Sequence, residues 1–316
     1  MATEEGELTG GVRDAQANHS PVERFPSVLR PLLEHDRARY YLQVLPAAIM
    51  LGVFMFIPIL AIVVISFALP SPFGIRLGFE VGNYVEFFTT YRFMRLVDTV
   101  LAGGLQVVIA FIVGFPLAYY TGIRMRGSQY TFPLLLLFAI PFITNYILRT
   151  LSWIAFLGRE GVVNTILIAL GLANSSVGWL LYSDFAVHVS LIASYIPYMV
   201  FPTWLAMSRI DDDVLRASYD LGGSPLQTIR YVVLPLSMPG VVIGAVFVFV
   251  GVLGESVVPT LLGGPNVTYV ATTIDNAVSS LNLPLASAIS TVLMLIAAVI
   301  VLAWERMFGL RSIGEI

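Results

Sequence analysis

Six long apolar stretches separated by polar segments set the pattern of this chain, at residues 42–69, 98–121, 131–156, 184–207, 238–262 and 285–304. A helix needs roughly 20 residues to cross a hydrocarbon core about 30 Å thick, and each stretch is long enough. The pattern predicts an all-α polytopic membrane protein with six spans. A further apolar run, Val162 to Ala173, is only about a dozen residues long and reads as an interfacial or re-entrant helix. Ahead of the first span, residues 1–30 carry no long apolar run and mix Glu4, Glu5, Glu7, Arg13, Asp14, Glu23 and Arg24 with Gly, Asn and Pro. Such a stretch predicts a disordered tail and not a signal peptide. Residues 31–40 read as a short surface helix leading into the first span. The chain therefore divides into a tail over 1–39 and a membrane domain over 40–316.

Between the fourth and fifth spans lies the most informative polar segment, Arg209 to Gly240. Asp211, Asp212 and Asp213 supply an N-cap and favourable charge for a helix start, and Val214, Leu215, Ser218 and Leu221 repeat on one face. Gly222 and Gly223 stop that helix. Ser224-Pro225-Leu226-Gln227 then combines a capping serine, a proline at the first helical position and a glutamine three residues after the cap. A second helix starts there and enters the membrane through Ile229, Tyr231, Val232 and Val233, until Pro235 and Pro239 bend or break its path.

Charge orients the chain. All 17 basic residues are arginine. With the N-terminus inside, Arg30, Arg37, Arg39, Arg124, Arg126, Arg209, Arg216, Arg230, Arg306 and Arg311 are cytoplasmic, and only Arg76, Arg92, Arg95 and Arg159 lie outside, which satisfies the positive-inside rule. Both termini and the loop at 209–235 are then cytoplasmic. Were Val162–Ala173 a span, the five arginines after it would fall outside, so that alternative is rejected.

Absences exclude several chemistries. Without lysine the chain cannot supply the lysine of a phosphate-binding loop. Without cysteine it has no disulfide framework, thiolate metal site or redox pair. His19, His35 and His188 are scattered, and His188 reads as a packed or interfacial residue. The net charge of -3, with no basic patch interleaved with aromatics, argues against nucleic acid. No catalytic or metal site is predicted.

Intramembrane charges are rare and costly. Arg149 and Glu255 lie at similar predicted depths in the third and fifth spans, which leaves two readings. In the first they form a structural ion pair, which is favoured because buried charges find partners. In the second Glu255 faces a translocation path and attracts a cationic solute. Trp153, Tyr195 and Tyr198 lie nearby in sequence, and their rings can face a cation or serve as ordinary belt residues. Gly251 and Gly254 read as close-packing positions.

The polar segment resembles the cytoplasmic loop of binding-protein-dependent ABC import permeases, whose signature is Glu-Ala-Ala, three residues, Gly, and a hydrophobic-Leu-Pro ending. Ala217, Gly222, Leu234 and Pro235 fall on that pattern, and Leu221, Ser224, Gln227, Thr228 and Pro239 match its common variants. Arg216 stands in place of the glutamate and Ser218 in place of the second alanine, so Arg216 is expected to meet an acidic residue on its partner. Further stretches are similar to the polyamine branch, which imports spermidine or putrescine. They are Asn83-Tyr84 through Phe88, Pro141 through Thr150, Gly158 through Asn164, and Gly254 through Pro265. Opine and amino-acid-derivative permeases share them.

The resemblance implies the six-helix type I ABC importer permease fold in a bacterial inner membrane. It also implies a second permease subunit, either a different chain or a second copy of this one, an extracytoplasmic solute-binding protein, and a pair of ATPase subunits that use ATP and Mg while this chain binds no cofactor. It assigns ATPase coupling to Asp213, Arg216, Ala217, Ser218, Leu221, Gly222, Ser224, Gln227, Leu234 and Pro235. A polyamine cargo would suit Glu255, Asp184 and Asp275, flanked by Tyr195, Tyr198 and Trp153. The rival from another class is a secondary transporter driven by an ion gradient, which inverted repeats or relay carboxylates would mark; the sequence shows one intramembrane carboxylate and no repeat.

Overall fold

The computed structural model describes residues 36–71, 74–76 and 78–308. Most of the expected tail lies outside the described residues. Residues 36–61 group as a unit of their own and make up most of helix α1 (Asp36–Ile65). The second unit opens with a short antiparallel hairpin of β1 (Leu69–Ser71) and β2 (Gly74–Arg76), which pairs Leu69 with Arg76. Helices α2 (Gly82–Thr89), α3 (Tyr91–Tyr119), α4 (Thr131–Ile143), α5 (Tyr146–Leu157), α6 (Val162–Ala169) and α7 (Asp184–Ser208) follow. After them come α8 (Asp212–Asp220), α9 (Pro225–Thr228), α10 (Leu234–Leu253), α11 (Val257–Leu262), α12 (Val270–Ser279) and α13 (Leu283–Phe308). Apart from the hairpin, the described elements are helical, as predicted.

Six segments among the described residues are long and apolar enough to cross a membrane: Val44–Ile65, Tyr91–Arg124, Tyr146–Ala169, Asp184–Ser208, Pro225–Leu253 and Leu283–Met307. Thr131–Ile143 is a shorter apolar helix. The stretch predicted as one span over 131–156 is therefore broken at Thr144–Asn145. Asn145 is why: its side-chain oxygen accepts from the backbone N–H groups of Ile147 and Leu148 at 3.0 and 3.2 Å, ending one helix and capping the next.

The two pieces still make one crossing. At one end, Thr131 Oγ1 donates to the Met125 carbonyl, just past the end of α3, where Ala118, Met207, Ile210 and Val233 pack together. At the other end, Leu157 packs with Ala186, Val187, Val252, Val258 and Leu262. Helix α6 stays at that second end, held where Asn164 bonds the carbonyls of Gly158 and Val177. Its eight residues are too few to cross alone, although with α5 it falls within the apolar stretch Tyr146–Ala169.

The fifth span departs from expectation at both ends. Pro235 and Pro239 do not interrupt it; helix runs from Pro225 to Leu253. A π-helical stretch at Ile229–Val233, in which the Leu234 N–H reaches back to the Ile229 carbonyl, widens the turn just ahead of Pro235. That widening accommodates the proline ring and its missing donor. At the far end α10 stops at Leu253, and Gly254–Ser256 separate it from α11. The predicted continuous helix to residue 262 is thus a second broken crossing.

Helices α3, α7 and α10 form the centre of the second unit. Small residues permit their approach, as in other membrane bundles. A Cβ on Gly240 would sit 2.3 Å from the Pro202 carbonyl oxygen, and one on Gly251 would sit 2.3 Å from the Tyr195 ring. Gly251 is a close-packing position, as expected. Gly254 is not: its nearest neighbours lie at 3.9 Å, and its place is the C-cap of α10.

Candidate coupling hairpin and intramembrane charge site

The polar segment folds as the sequence predicts, into two helices joined by a tight corner. Asp211 caps α8 by accepting from the Asp213 N–H at 3.1 Å. Gly222 adopts φ +83°, in the left-handed region that favours glycine, and its N–H bonds the Tyr219 carbonyl while Gly223 N–H bonds that of Ser218. The next helix begins with the predicted capping box: Gln227 N–H donates to Ser224 Oγ at 3.3 Å, and Ser224 N–H donates to Gln227 Oε1 at 2.7 Å. Across the corner, the hydroxyls of Ser218 and Thr228 bond at 2.9 Å. Thr228 is buried.

Two side chains fasten this hairpin to the spans. Leu215 packs on the cluster of Ala118, Met207, Ile210 and Val233. Arg126, just beyond α3, pairs with Asp212 and donates to the carbonyls of Met207 at 3.1 Å and Gly122 at 3.3 Å. The sequence marks Arg126 only as an orienting charge, and nothing local reveals that it buttresses a helix 86 residues away.

What the hairpin leaves uncovered is apolar. Leu221 was expected on a face shared with Leu215, but it is 89% exposed, and Leu226 and Tyr231 are also exposed. The one-face reading holds for Leu215 and fails for Val214, which is exposed and lines the groove, and for Leu221, which the turn at Gly222 carries past the end of α8 and off its packed side. An open groove of about 440 Å³ lies between the helices, lined by Ala217, Ser218, Leu221, Gly222, Gln227 and Tyr231 among others. Leu234 and Pro235 begin α10. Arg216 and Asp213 are both largely exposed and lie 3.7 Å apart, a surface pair of little energetic weight.

The second site joins the two broken crossings. Glu255 is 5% exposed. Its Oε1 accepts from the backbone N–H groups of Val257 and Val258 at 3.0 and 3.1 Å, capping α11. Its Oε2 accepts from the Tyr146 hydroxyl and, at 3.4 Å, from that of Tyr195. Arg149 lies on the other side of Tyr146, its guanidinium carbon 5.2 Å from the ring centroid, and donates to the Pro141 carbonyl.

The favoured Arg149–Glu255 ion pair is therefore not formed. The ion pairs among the described residues are Arg92–Glu86, Arg95–Asp98, Arg126–Asp212 and Arg216–Asp213. The tyrosine one turn before Arg149 takes the place of a direct contact, using its face for the cation and its hydroxyl for the carboxylate.

Of the other predicted pathway residues, Tyr195, Tyr198 and Trp153 fall near this site. The Tyr195 and Tyr198 rings are 5.6 Å apart, Tyr198 meets Phe142 in a tilted contact at 4.7 Å, and Trp153 packs with Tyr146 and Tyr195 around one core cluster. Asp184 and Asp275 are exposed, on the first turn of α7 and on α12. Outside the spans, burial together with the charges of Asp184, Glu255 and Asp98 raises the Tyr269 hydroxyl above the usual phenol range. Tyr146, Asn145 and the Gln106–His188 bond of 2.8 Å between α3 and α7 were not anticipated as partners. A glutamine inside an apolar run was the available signal for the last of these.

Six helical segments long and apolar enough to cross a membrane, two of the crossings broken, and a capped polar hairpin with an exposed apolar tip have the form of a membrane permease. The chain belongs to the family of binding-protein-dependent transport system inner membrane components, which it matches over residues 40–310. It is a multi-pass permease subunit of an ABC importer, not an enzyme, and ATP use belongs to a partner ATPase.

It is 29% identical over 255 residues to the spermidine/putrescine transport system permease protein PotB of Haemophilus influenzae, covering 80% of this chain and 88% of that one. It is 28% identical over 261 residues to PotB of Escherichia coli, covering 81% and 93%. To the inner membrane ABC transporter permease protein YdcU of Escherichia coli it is 29% identical over 239 residues, covering 72% and 75%. The fold matches a solved bacterial ABC transporter involved in import of the acidic polysaccharide alginate, with a TM-score of 0.70 at 20% identity over 89% of this chain and 98% of that one.

Proposed function

We propose that this chain forms half of the translocation pore of an importer for a polyamine of the spermidine or putrescine kind, and that its hairpin at 209–235 is the cytoplasmic elbow gripped by the ATPase pair. In this reading both termini are cytoplasmic, residues 1–39 are a tail and 40–316 the permease domain. A second permease subunit completes the pore, and an extracytoplasmic binding protein delivers the cargo. The solute assignment is supported by the relatives named for spermidine and putrescine, which align along most of the chain.

The observation that carries the elbow is the contrast between a frame tied down by capping, Arg126 and Leu215 and a tip that exposes Leu221, Leu226 and Tyr231 around an open groove. Contiguous exposed apolar residues on a polar rim mark an interaction site. ATP closure of the partner would move the hairpin as a lever, and Leu234–Pro235, entering α10 without a break, would pass that motion to the fifth crossing. Glu255, with Tyr195, Tyr198 and Trp153, would lie along the solute path, and the exposed Asp184 and Asp275 near its outer mouth.

Pull-down of the whole complex tests the elbow. Leu221→Asp with Leu226→Asp should reduce ATPase recovered with this chain at least tenfold and leave its melting temperature unchanged. Full ATPase recovery would overturn the assignment. Competition by spermidine, putrescine, an opine and an amino-acid derivative for uptake by the reconstituted importer tests the cargo, and uptake insensitive to both polyamines would overturn that part alone.

A further inference from the structure

The break in the third crossing opens a groove of about 410 Å³, lined by Pro141, Thr144, Asn145, Leu148, Arg149 and Ser152 among others. Arg149 is its cation. One Nη donates to the Pro141 carbonyl at 2.5 Å, the Tyr146 ring covers one face, and Nε is buried with no acceptor. Among the described residues no carboxylate comes within ion-pair range of Arg149. Glu255, the carboxylate nearest in role, is engaged by two backbone donors and two tyrosines. The rim is apolar and uncovered: Ile140 is 48% and Leu148 66% exposed.

Non-helical backbone at membrane depth persists only against protein or a water-filled cavity, and the Pro141 carbonyl takes one of the guanidinium's donors while the buried Nε keeps none, so the cation is only partly satisfied. Lipid tails would cover Ile140 and Leu148 but offer the remaining donors of Arg149 no acceptor. Water would solvate Arg149 but leave the apolar rim wet. A protein helix carrying a carboxylate meets both needs, its apolar ridge on the rim and its anion on the guanidinium.

We infer that the groove at the Thr144–Asn145 break is an intersubunit contact, filled by a membrane helix of the second pore subunit whose carboxylate pairs with Arg149. This rests on the proposed two-subunit pore and adds where the subunits meet and through which charge. It makes Arg149 a positioning residue of assembly, outside the solute path.

Because the chain has no cysteine, Ser152→Cys carrying a thiol-linked photo-cross-linker reports on the groove alone. In the complete importer in lipid nanodiscs, the expected product is an adduct with the second pore subunit, and adding Arg149→Gln should lower its yield about tenfold. Adducts only with lipid, or only within a single copy of this chain, would overturn the intersubunit assignment. A yield unchanged by Arg149→Gln would overturn the carboxylate contact. ATPase recovery is measured on the same preparation: if the ATPase remains bound while the adduct fails to form, the groove assignment falls and the importer reading stands.

Discussion

The hairpin at 209–235 and the Glu255 site are both polar structures in a mostly apolar chain, but they are held together in opposite ways. The hairpin is built from neighbours. Its caps join residues two or three apart and its cross-corner bond joins Ser218 to Thr228. The Glu255 site adds strangers to its one local cap: Tyr146 and Tyr195 reach the carboxylate across 109 and 60 residues of chain. The hairpin also shows its apolar residues to the outside, whereas the charge site is closed over its anion. A lever has to keep its shape without help from the element it pushes, so local bonding suits it. A joint between two broken crossings can only be made by long-range contacts, so its strength depends on how those crossings stand to each other.

The largest expected effect tests the local side of that contrast. Gly222→Pro forces φ near -65° where the chain needs +83° and removes an N–H that bonds Tyr219. It should cost the hairpin about 3 kcal/mol or more. Solute-stimulated ATPase of the reconstituted importer should vanish while membrane insertion is retained, since no span depends on this corner. Normal stimulation in this variant would show that the corner's shape is not what couples the two parts.

That corner was legible because everything defining it lies within a few residues: Asp211 before α8, Gly222 after it, and Ser224 with Gln227 around Pro225. The six crossings were legible from length and apolarity alone. The breaks were less so. Asn145 and Gly254 interrupt otherwise apolar runs, but hydropathy averages over them, and Pro235 and Pro239 looked like stronger breakers than either. The helix accommodated the prolines with a π turn and ended instead where side chains, Asn145 and Glu255, could cap the next segment. The depths of Arg149 and Glu255 followed from counting residues along each span. The tyrosine between them did not, because which side chain fills such a gap is decided by packing between crossings that no local pattern encodes.

An effect of intermediate size probes the long-range side. Removing the Tyr146 hydroxyl with Tyr146→Phe takes a charge-assisted bond from a buried carboxylate, worth about 1.5–3 kcal/mol, and should lower the melting temperature of the purified chain. Were Arg149 and Glu255 a simple ion pair, Arg149→Gln and Glu255→Gln together would recover much of what either loses. With Tyr146 interposed and Glu255 also capping α11, the double variant should fall well short of such recovery, and the coupling left between the two should be the modest one of groups that share a partner, about 0.5–1 kcal/mol. A clear rescue in that cycle would restore the direct pair and remove Tyr146 from its place between them.

The smallest change returns to the hairpin and asks whether local bonding contributes stiffness or only stability. Ser224→Ala deletes one half of the capping box and leaves every apolar residue of the tip in place. It should destabilise the second helix by about 1 kcal/mol, too little to unfold a chain anchored by Arg126 and Leu215. If the hairpin acts as a lever, that softening should lower solute-stimulated ATPase severalfold while the ATPase still co-purifies, because the gripping surface is intact and only its transmission is loosened. Equal losses of binding and stimulation would mean instead that the cap serves the docking surface itself, and the distinction between a gripped tip and a stiff frame would have to be given up.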